Sequence, residues 1–483
     1  MSSIQENKKK FYITTTLPYV NADPHIGFAA EIVRADCLAR FKREQGFEVF
    51  FNTGTDEHGA KIYEKAKERG VGVQAYCDEY AAKFENLKKA LNLSYDNFIR
   101  TTDAHHVAAA QDFWRRCEAN GDIYKKNYQI KYCVGCELEK TESELVDGYC
   151  PLHPGKELEF IDEENYFFRW SAYQEKLLAF YEKNPDFVVP QHRLNEIKKF
   201  VEGGLNDFSI SRLKEKMPWG VPVPGDDAQV MYVWFDALVN YISALGWPSD
   251  VQKFTEFWPG LQVAGKDNLR QQTAMWQAML MSAGLPNSKQ VLIFGFINSN
   301  GQKMSKSLGN VVNPYDLVEK YGTDATRYYL LSEMKPFEDS DYTQEKFELK
   351  YNADLANGLG NLAARVSTLL EKNAIASDFD VKEARKDLAD KVAEKMEKYL
   401  FNEALEVLWQ EIKANDELLT QKAPWKMTDK EEIAKILLPV AESILSIGYL
   451  LRSFMPKTSA KIIKSFSEKQ IKKIEPLFLR LVK

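Results

Sequence analysis

The sequence predicts an α/β protein: a doubly wound parallel sheet of the Rossmann type, split by an insert and followed by an α-helical domain. Three observations predict it. Strand and helix patterns alternate over residues 11–118 and resume after about residue 220. Between them lies a stretch rich in aromatics, short strands and paired cysteines. From about residue 351 the pattern is helical, with no convincing strand.

Composition sets the outer limits. The chain has 483 residues, 45% of them hydrophobic and 28% charged, which is typical of a globular protein with room for about three domains. The net charge of −6 gives no sign of a nucleic-acid partner, so any such surface must be local.

Targeting signals are also missing from the sequence pattern. No run of eighteen uncharged apolar residues occurs, and the N-terminus lacks the apolar core of a signal peptide. We therefore expect a cytoplasmic protein with no membrane partner, in which thiols stay reduced.

The first strand–helix–strand unit is the clearest. FYITTT is β-branched and aromatic, which favours a strand. Asp23-Pro24 then matches a helix start, and apolar residues at helical spacing continue from His25 to Gln45, where Gly46 ends the helix. EVFFNTG is the second strand. Later strands are predicted at VMYVWF, LQVAG and QVLIFGF, so an insertion into one sheet explains the pattern better than two separate domains.

The first strand-to-helix turn carries a possible phosphate site. A helix that opens at Pro24 points free N–H groups and the positive end of its dipole outward, which suits an anion. His25 in the first turn can hydrogen-bond a phosphoryl oxygen, and Gly27 leaves room for a flat ring. Taken alone, Pro-His-Ile-Gly is equally consistent with a capped helix carrying a surface histidine.

A second candidate is the segment KMSKS, which follows the strand VLIFGF and lies between Gly301 and Gly309. Lys303 and Lys306, three residues apart with Ser305 between them, can close over a polyphosphate and neutralise developing negative charge. By composition alone, the alternative is a solvated basic turn.

The insert contains two pairs of metal-ligand residues. Cys133-x2-Cys136 and Cys150-x2-His153 lie thirteen residues apart and supply the four soft ligands of a tetrahedral zinc site. Four filled positions leave none for substrate, so we expect one structural Zn²⁺. The remaining cysteines are expected to be buried thiols: Cys37, Cys77 and Cys117.

The two phosphate motifs, in this order around a split sheet, resemble the HIGH and KMSKS signatures of class I aminoacyl-tRNA synthetases. TTTLPYVNADPHIG, TGTDEHG, YVWFDALVNYISALGWP, AGKDN, GFINSNGQKMSKSLGNVV and KAPW resemble the methionine-specific family over residues 11 to about 460. The resemblance implies that L-methionine is activated with ATP and Mg²⁺, releasing pyrophosphate, and is transferred to the 3′ end of tRNA(Met). Two alternatives remain: another class I synthetase or related adenylate-forming enzyme, and a catalytically silent tRNA-binding paralogue.

The resemblance also implies site residues. Catalysis would rest on His25, Lys303 and Lys306. ATP would be held by His25, Gly27, Gly265, Asp267, Ile297, Lys303, Ser305 and Lys306. Methionine would be bound by Leu17, Tyr19, Asp56, Trp234, Ala237, Leu238, Tyr241, Gln272 and Trp276. A thioether favours a soft aromatic pocket, and the Asp56 carboxylate suits the substrate ammonium. The aromatic residues of this set could equally be core residues.

The sequence departs from the family pattern at three places. Phe28 stands where the second histidine of HIGH is usual, Gln271-Gln272 stand for an aromatic–histidine pair, and Phe294 stands for a histidine before GFIN. The first departure implies the loss of one ATP contact.

The domains implied by pattern and resemblance follow the chain in five segments: residues 1–118 and 221–322 as the two halves of the catalytic domain, 119–220 as the insert with the zinc knuckle, 323–350 as a stem-contact linker, and 351–483 as an anticodon-binding helical domain. The family's C-terminal dimerisation domain is not found in this sequence, so a monomer is expected.

The helical tail carries the expected RNA contacts. Asn361 and Arg365 are four residues apart and share one helix face, and Trp425 follows Ala423-Pro424 near a helix boundary. The resemblance implies that these three read the anticodon, with Trp425 stacking on a base. Without the resemblance, the first two would be interpreted as a solvated pair and Trp425 as a core residue. Residues 451–483 carry nine Lys and Arg against two Glu, which could follow a phosphate backbone or form a solvated face.

Overall fold

A computed structural model describes residues 9–136, 138–140, 144–304, 309–377 and 383–482. Its strands, numbered along the chain, are β1 (Lys10–Thr15), β2 (Glu48–Thr55), β3 (Asn97–Arg100), β4 (Ile123–Cys133), β5 (Leu138–Lys140), β6 (Glu159–Phe168), β7 (Val188–Val189), β8 (Phe208–Ser209), β9 (Ser211–Leu213), β10 (Pro222–Val223), β11 (Asp226–Met231), β12 (Leu261–Gly265), β13 (Gln290–Phe294), β14 (Ile297–Ser299), β15 (Gln302–Lys303) and β16 (Ser340–Tyr342).

The α-helices are α1 (Ile26–Glu44), α2 (Ala60–Glu68), α3 (Val73–Glu85), α4 (Leu87–Ala90), α5 (Ala104–Ala119), α6 (Gln174–Lys183), α7 (Gln191–Glu202), α8 (Val233–Ala237), α9 (Asn240–Ser243), α10 (Val251–Phe257), α11 (Trp276–Ser282), α12 (Pro314–Tyr321), α13 (Thr323–Ser332), α14 (Gln344–Lys350), α15 (Asn361–Lys372), α16 (Lys386–Glu397), α17 (Phe401–Lys422), α18 (Lys430–Leu450) and α19 (Pro456–Phe466). Two π-helical segments (Gln271–Met275, Tyr351–Gly360) and three 3₁₀ turns (Trp170–Tyr173, Lys266–Asn268, Pro424–Lys426) complete the helical elements of the described residues.

The centre of the molecule is a parallel sheet with the strand order β3-β2-β1-β12-β13-β7. β1 pairs with β2 on one side, where Ile13 lies opposite Phe51, and with β12 on the other, where Ile13 lies opposite Leu261. The sequence order therefore reverses direction between β1 and β12. A reversal of this kind leaves a crevice at the carboxyl ends of the two strands, the usual ligand site of such sheets.

Side chains that alternate along the strands fill two cores, one on each face of the sheet. Tyr12 packs into one core and Ile13 into the other, as the two-residue period of a strand requires. The core that contains Ile13 continues into the helical domain through Leu359 and Leu445. The doubly wound sheet and the helical domain thus share one continuous apolar interior.

The insert forms a separate four-stranded sheet of order β5-β4-β6-β8, with β4 and β6 paired antiparallel over most of their length. β7, which also lies within residues 119–220, instead pairs with β13 at the edge of the parallel sheet. That range therefore contains both a second sheet and a strand of the central one.

The tail is helical, as expected, and no strand occurs among the described residues after β16. α18 is the one described helix whose length and hydropathy would allow it to cross a membrane. Its apolar residues, however, are largely buried, and it packs against α19 and α15. Helices of this composition are common in the cores of helical domains.

Candidate active site

Several of the residues predicted to bind ATP and methionine follow the carboxyl ends of β1, β2 and β12. Thr16 to Tyr19 follow β1, Asp56 follows β2, and Gly265 ends β12 and is followed by Asp267. The backbones of Tyr19 and Asp56 form a short parallel bridge beyond the strands. The sheet thus brings three distant segments to one edge.

His25 caps the first turn of α1. Its Nδ1 accepts a hydrogen bond from the Gly27 N–H at 3.1 Å, and its extended backbone turns the chain into the helix. A β-carbon on Gly27 would lie 2.8 Å from the His25 ring and 3.9 Å from the Met304 methyl group. A larger residue at position 27 would therefore displace the His25 ring, whereas the distance to Met304 is an ordinary contact.

Three of the predicted ATP residues interact electrostatically. Desolvation within the crevice lowers the pKa of His25, and Asp267 opposes that effect. Desolvation likewise raises the pKa of Asp267, while Lys303 and His25 act to lower it. All three side chains therefore lie near one another around the crevice, in an arrangement suited to the ribose and phosphates of a nucleotide.

Lys303 is held on a tight hairpin. β14, which begins at Ile297, pairs antiparallel with β15, and Asn300-Gly301 form the turn with positive φ angles of 53° and 74°. The Lys303 ammonium lies 5.4 Å from the centre of the Phe296 ring. Ser305 and Lys306 lie outside the described residues, so their predicted roles stay predictions.

The expected methionine pocket has an aromatic wall. The rings of Tyr241 and Trp276 pack edge to face at 5.9 Å, and the Gln272 amide donates to the Tyr241 hydroxyl at 2.5 Å. Gln272 lies in a π-helical segment, a distortion frequent at functional sites. Trp234 is half-buried, whereas the other members of this wall are nearly inaccessible: Ala237, Leu238, Tyr241, Gln272 and Trp276.

The other residues predicted to bind methionine are Leu17, Tyr19 and Asp56. Leu17 and Tyr19 are half-buried, and Asp56 is 7% exposed. A β-carbon on Gly59, which has φ of 114°, would lie 2.3 Å from the Tyr19 hydroxyl. The phenol therefore packs directly on the backbone that follows Asp56.

Two of the departures from the family pattern are core residues. Phe28 is 8% exposed and packs edge to face on Phe84 at 5.5 Å. Phe294, at the end of β13, is 2% exposed, and the Arg34 guanidinium stacks on its ring at 4.8 Å. Both rings therefore stabilise the packing around α1.

Glu31 and Arg212 are among the buried ionisable residues that sequence reasoning missed. Glu31 on α1 accepts hydrogen bonds from the Thr16 N–H and hydroxyl at 3.0 and 2.6 Å, and burial raises its pKa to about 8. Arg212, 7% exposed, stacks on Tyr232 at 4.3 Å. Glu31 lies on α1, where every residue from Phe28 to Ala39 is buried, and helical spacing places it away from the apolar positions of the predicted helix, so the pattern gave no signal for it. A lone arginine in a short strand offered none.

The four predicted metal ligands converge. The ligand atoms of Cys133, Cys136, Cys150 and His153 all lie within 4.8 Å of one another. The Cys136 sulfur is 3.4 Å from the Cys150 sulfur and 3.2 Å from His153 Nδ1. These separations fit one tetrahedral ion with metal–sulfur bonds of about 2.3 Å. A β-carbon on Gly135 would lie 2.4 Å from the His153 ring, so the knuckle requires glycine there. The three other cysteines are buried thiols, as predicted.

In the helical domain, Arg365 and Trp425 lie together, with the guanidinium 5.0 Å from the indole centre. Arg365 also forms an ion pair with Asp416 at 2.5 Å. Asn361 is exposed one turn earlier on α15. Trp425 is 43% exposed, so the interpretation of this residue as a core residue was wrong.

Comparison with known proteins agrees with this geometry. The family model "tRNA synthetases class I (M)" matches residues 11–157 and 153–367. The chain is therefore a class I tRNA synthetase. Its parallel sheet has the Rossmann-type order, and the His25 turn follows the central strand β1.

Individual relatives show which class I synthetase family the chain belongs to. The methionine–tRNA ligase of Thermosynechococcus vestitus is 44% identical over 94% of this chain and 89% of its own length. The methionine–tRNA ligase of Thermotoga maritima is 41% identical over 96% of this chain and 76% of its own length. The Mycobacterium tuberculosis methionyl-tRNA synthetase in complex with methionyl-adenylate superposes with a TM-score of 0.92 at 37% identity, covering 98% of this chain and 100% of that one. The chain belongs to the methionine–tRNA ligase family.

Proposed function

We propose that this chain activates L-methionine with ATP and transfers the methionyl group to the 3′ end of tRNA(Met). The observation that carries the proposal is the meeting of the His25 turn, Asp267 and Lys303 at the carboxyl ends of β1 and β12. This is where a doubly wound sheet binds a nucleotide.

In the first step, a methionine carboxylate oxygen attacks the α-phosphorus of Mg²⁺-bound ATP and the bond to the β-phosphate oxygen breaks, releasing pyrophosphate. His25 and the N–H groups of the first turn of α1 bind phosphoryl oxygens. Lys303 and Lys306 neutralise the charge on the departing pyrophosphate. Gly265, Asp267 and Ile297 hold the nucleoside. In the second step, a ribose hydroxyl of the tRNA attacks the methionyl carbonyl and AMP leaves.

The amino acid lies between the aromatic wall and Asp56. Asp56 takes the ammonium: it is only 7% exposed, its backbone is bridged to that of Tyr19, and a carboxylate suits a cation. The aromatic side chains of Trp234, Tyr241 and Trp276 surround the thioether. We also propose that the four-residue cluster of the insert holds one structural Zn²⁺, that the helical domain reads the anticodon, and that the protein is a cytoplasmic monomer.

Methionine-dependent ATP–pyrophosphate exchange tests the activity. The parent protein should exchange with methionine and not with isoleucine, leucine or valine. His25→Ala should slow exchange by roughly two orders of magnitude while KM for methionine changes little, because the lost interaction acts on the phosphates. Exchange driven by another amino acid would identify a different synthetase, and none at all would identify a silent paralogue.

Lys306→Ala should behave like His25→Ala, because its charge is needed as pyrophosphate leaves. Lys413→Ala in α17 is the matched control, since it removes the same charge from an exposed position in the helical domain, far from the crevice. An unchanged exchange rate for Lys306→Ala would contradict the role given to Lys306.

A further inference from the structure

A buried cluster of one carboxylate and two imidazoles lies beside the proposed methionine pocket. The Asp236 carboxylate contacts His58 Nδ1 with one oxygen at 2.6 Å and His106 Nε2 with the other at 2.8 Å. Asp236 and His106 are fully buried, and His58 is 5% exposed. A buried carboxylate is stable only when hydrogen bonds replace its lost hydration, and here two rings supply them.

The hydrogen bonds fix the roles of the ring nitrogens. Each nitrogen that faces Asp236 must carry a proton, because the carboxylate can only accept. His106 Nδ1, on the far side of its ring, lies within hydrogen-bond distance of the Ser243 hydroxyl at 2.9 Å. On the other side, the edge-to-face ring of Trp219 lies 5.6 Å from His58. Both oxygens of the carboxylate are thereby used inside the cluster.

The cluster joins the Asp56 segment to the Trp234 segment. His58 is two residues after Asp56, and Asp236 lies two residues after Trp234 and directly before Ala237. The backbone around His58 is held further by Glu57, whose carboxylate takes two hydrogen bonds from Arg100 at 2.6 and 2.9 Å. A shift of either segment would break a hydrogen bond to Asp236.

We propose that Asp236, His58 and His106 form a positioning cluster that sets the Asp56 carboxylate at a fixed distance from the Trp234 indole and so determines the affinity for methionine. None of the three needs to touch substrate. The proposal rests on the proposed function, because it takes Asp56 and Trp234 as methionine contacts. It goes further in assigning control of methionine affinity to residues that lie behind those contacts.

The test compares variants that keep the hydrogen bond with variants that only fill the space. His58→Asn places an amide donor near the position of Nδ1, and His106→Gln places one near Nε2. His58→Leu and His106→Leu remove the donors. We expect KM for methionine to rise roughly tenfold or more in each leucine variant, as small misplacements of binding groups do. KM for ATP should stay within about twofold, and the Asn and Gln variants should recover most of the methionine affinity.

A merely structural role predicts a different result. Asn415→Leu, which removes a buried hydrogen bond to Ser443 in the helical domain, serves as the control. It should lower the melting temperature without changing KM for methionine. Leucine variants that fold and keep the parent's KM, or donor variants as impaired as the leucine ones, would overturn the proposal.

If the leucine variants do not fold, Asp236→Asn decides, because it keeps the shape but presents an NH₂ group to one ring. An unchanged KM for methionine in that variant overturns the proposal too, and a raised one supports it. Failure of the proposed function would instead show as absent exchange in the parent protein.

Discussion

At the scale of single residues, burial changes the chemistry that residue type alone would predict. Glu31 is the clearest case, because its carboxyl group lies 8% exposed beneath the first strand's end, where it accepts from the Thr16 N–H and hydroxyl. Burial raises its pKa to about 8 from an ordinary value of 4.5. The sequence shows a glutamate on a helix, but its solvation depends on what packs around it.

This shift predicts a pH dependence of stability. An unfolded Glu31 loses its proton near pH 4.5, whereas the folded one keeps it to about pH 8, so folding takes up a proton in that window. The contribution of this group to stability therefore falls as pH rises from 4.5 to 8. Glu31→Gln should remove roughly 3–5 kcal/mol of this pH dependence. Urea unfolding from about pH 5 to 9 measures it, with exposed Glu118→Gln as the control. Parallel stability curves for Glu31→Gln and the parent would contradict the assignment.

The sequence predicted the positions of some site residues but not of others. His25, Gly27 and Lys303 lie near one another as the motifs implied, because each follows directly from a strand or helix end. The partners behind the pocket were not predictable. Asp236 meets His58 across 178 residues, and such contacts depend on the fold and leave no local pattern.

At the scale of elements, the clearest local patterns agree with the structure, but the predicted strand VMYVWF was wrong in its second half, because β11 ends at Met231 and α8 begins at Val233. The predicted helix His25 to Gln45 is observed as Ile26–Glu44, and FYITTT and EVFFNTG fall in β1 and β2. β7 has only two residues, too few for any periodicity, and its place in the sheet comes from pairing with Val291 and Leu292. Strands of this length are specified by tertiary packing alone.

The Cys/His cluster of the insert is the element whose predicted metal binding is most directly testable. Purified protein should hold about one zinc per chain, because four ligand atoms within 4.8 Å form one tetrahedral site. Cys133→Ser should lose the metal and lower the melting temperature before it affects ATP binding. Metal analysis and thermal unfolding measure the two effects, and His192→Asn, an exposed histidine outside the cluster, is the control. Zinc-free protein prepared with metal present would refute the site.

At the scale of the whole molecule, one buried arginine ties the catalytic sheet to the helical domain. Arg327 on α13 forms an ion pair with Asp36 of α1 at 2.8 Å. It also donates to the backbone oxygens of Ser453 and Phe454, between α18 and α19. Both charged side chains are fully buried, so the helix that carries His25 at its start is fixed to the C-terminal helices.

Loss of that arginine should therefore be costly. Arg327→Met leaves the Asp36 carboxylate buried with less compensation, and we expect a loss of about 3–5 kcal/mol in the free energy of unfolding. Arg116→Met is the matched control, because Arg116 pairs with Asp112 at 2.9 Å on an exposed helix face. That pair should contribute less than about 1 kcal/mol. Equal losses in the two variants, measured by urea unfolding, would show that burial of the Arg327 pair is unimportant.

Substitution of Trp425 tests whether the helical domain binds tRNA independently of methionine activation in the sheet domain. Its indole is 43% exposed and stacked by Arg365, so it presents a free aromatic face. If a base of the anticodon stacks there, Trp425→Ala loses roughly 1–3 kcal/mol of RNA binding, which is about fivefold to a little over a hundredfold weaker use of tRNA. Trp425→Phe should retain much of it, and Arg365→Ala should resemble Trp425→Ala. All three should keep normal methionine-dependent exchange without tRNA.

Because the side chain of Trp425 is exposed, its removal leaves no closed cavity, and the melting temperature should change little. Aminoacylation, exchange and thermal unfolding of the same variants decide the matter: charging that survives in Trp425→Ala, or falls only together with the fold, would show that the indole does not bind RNA.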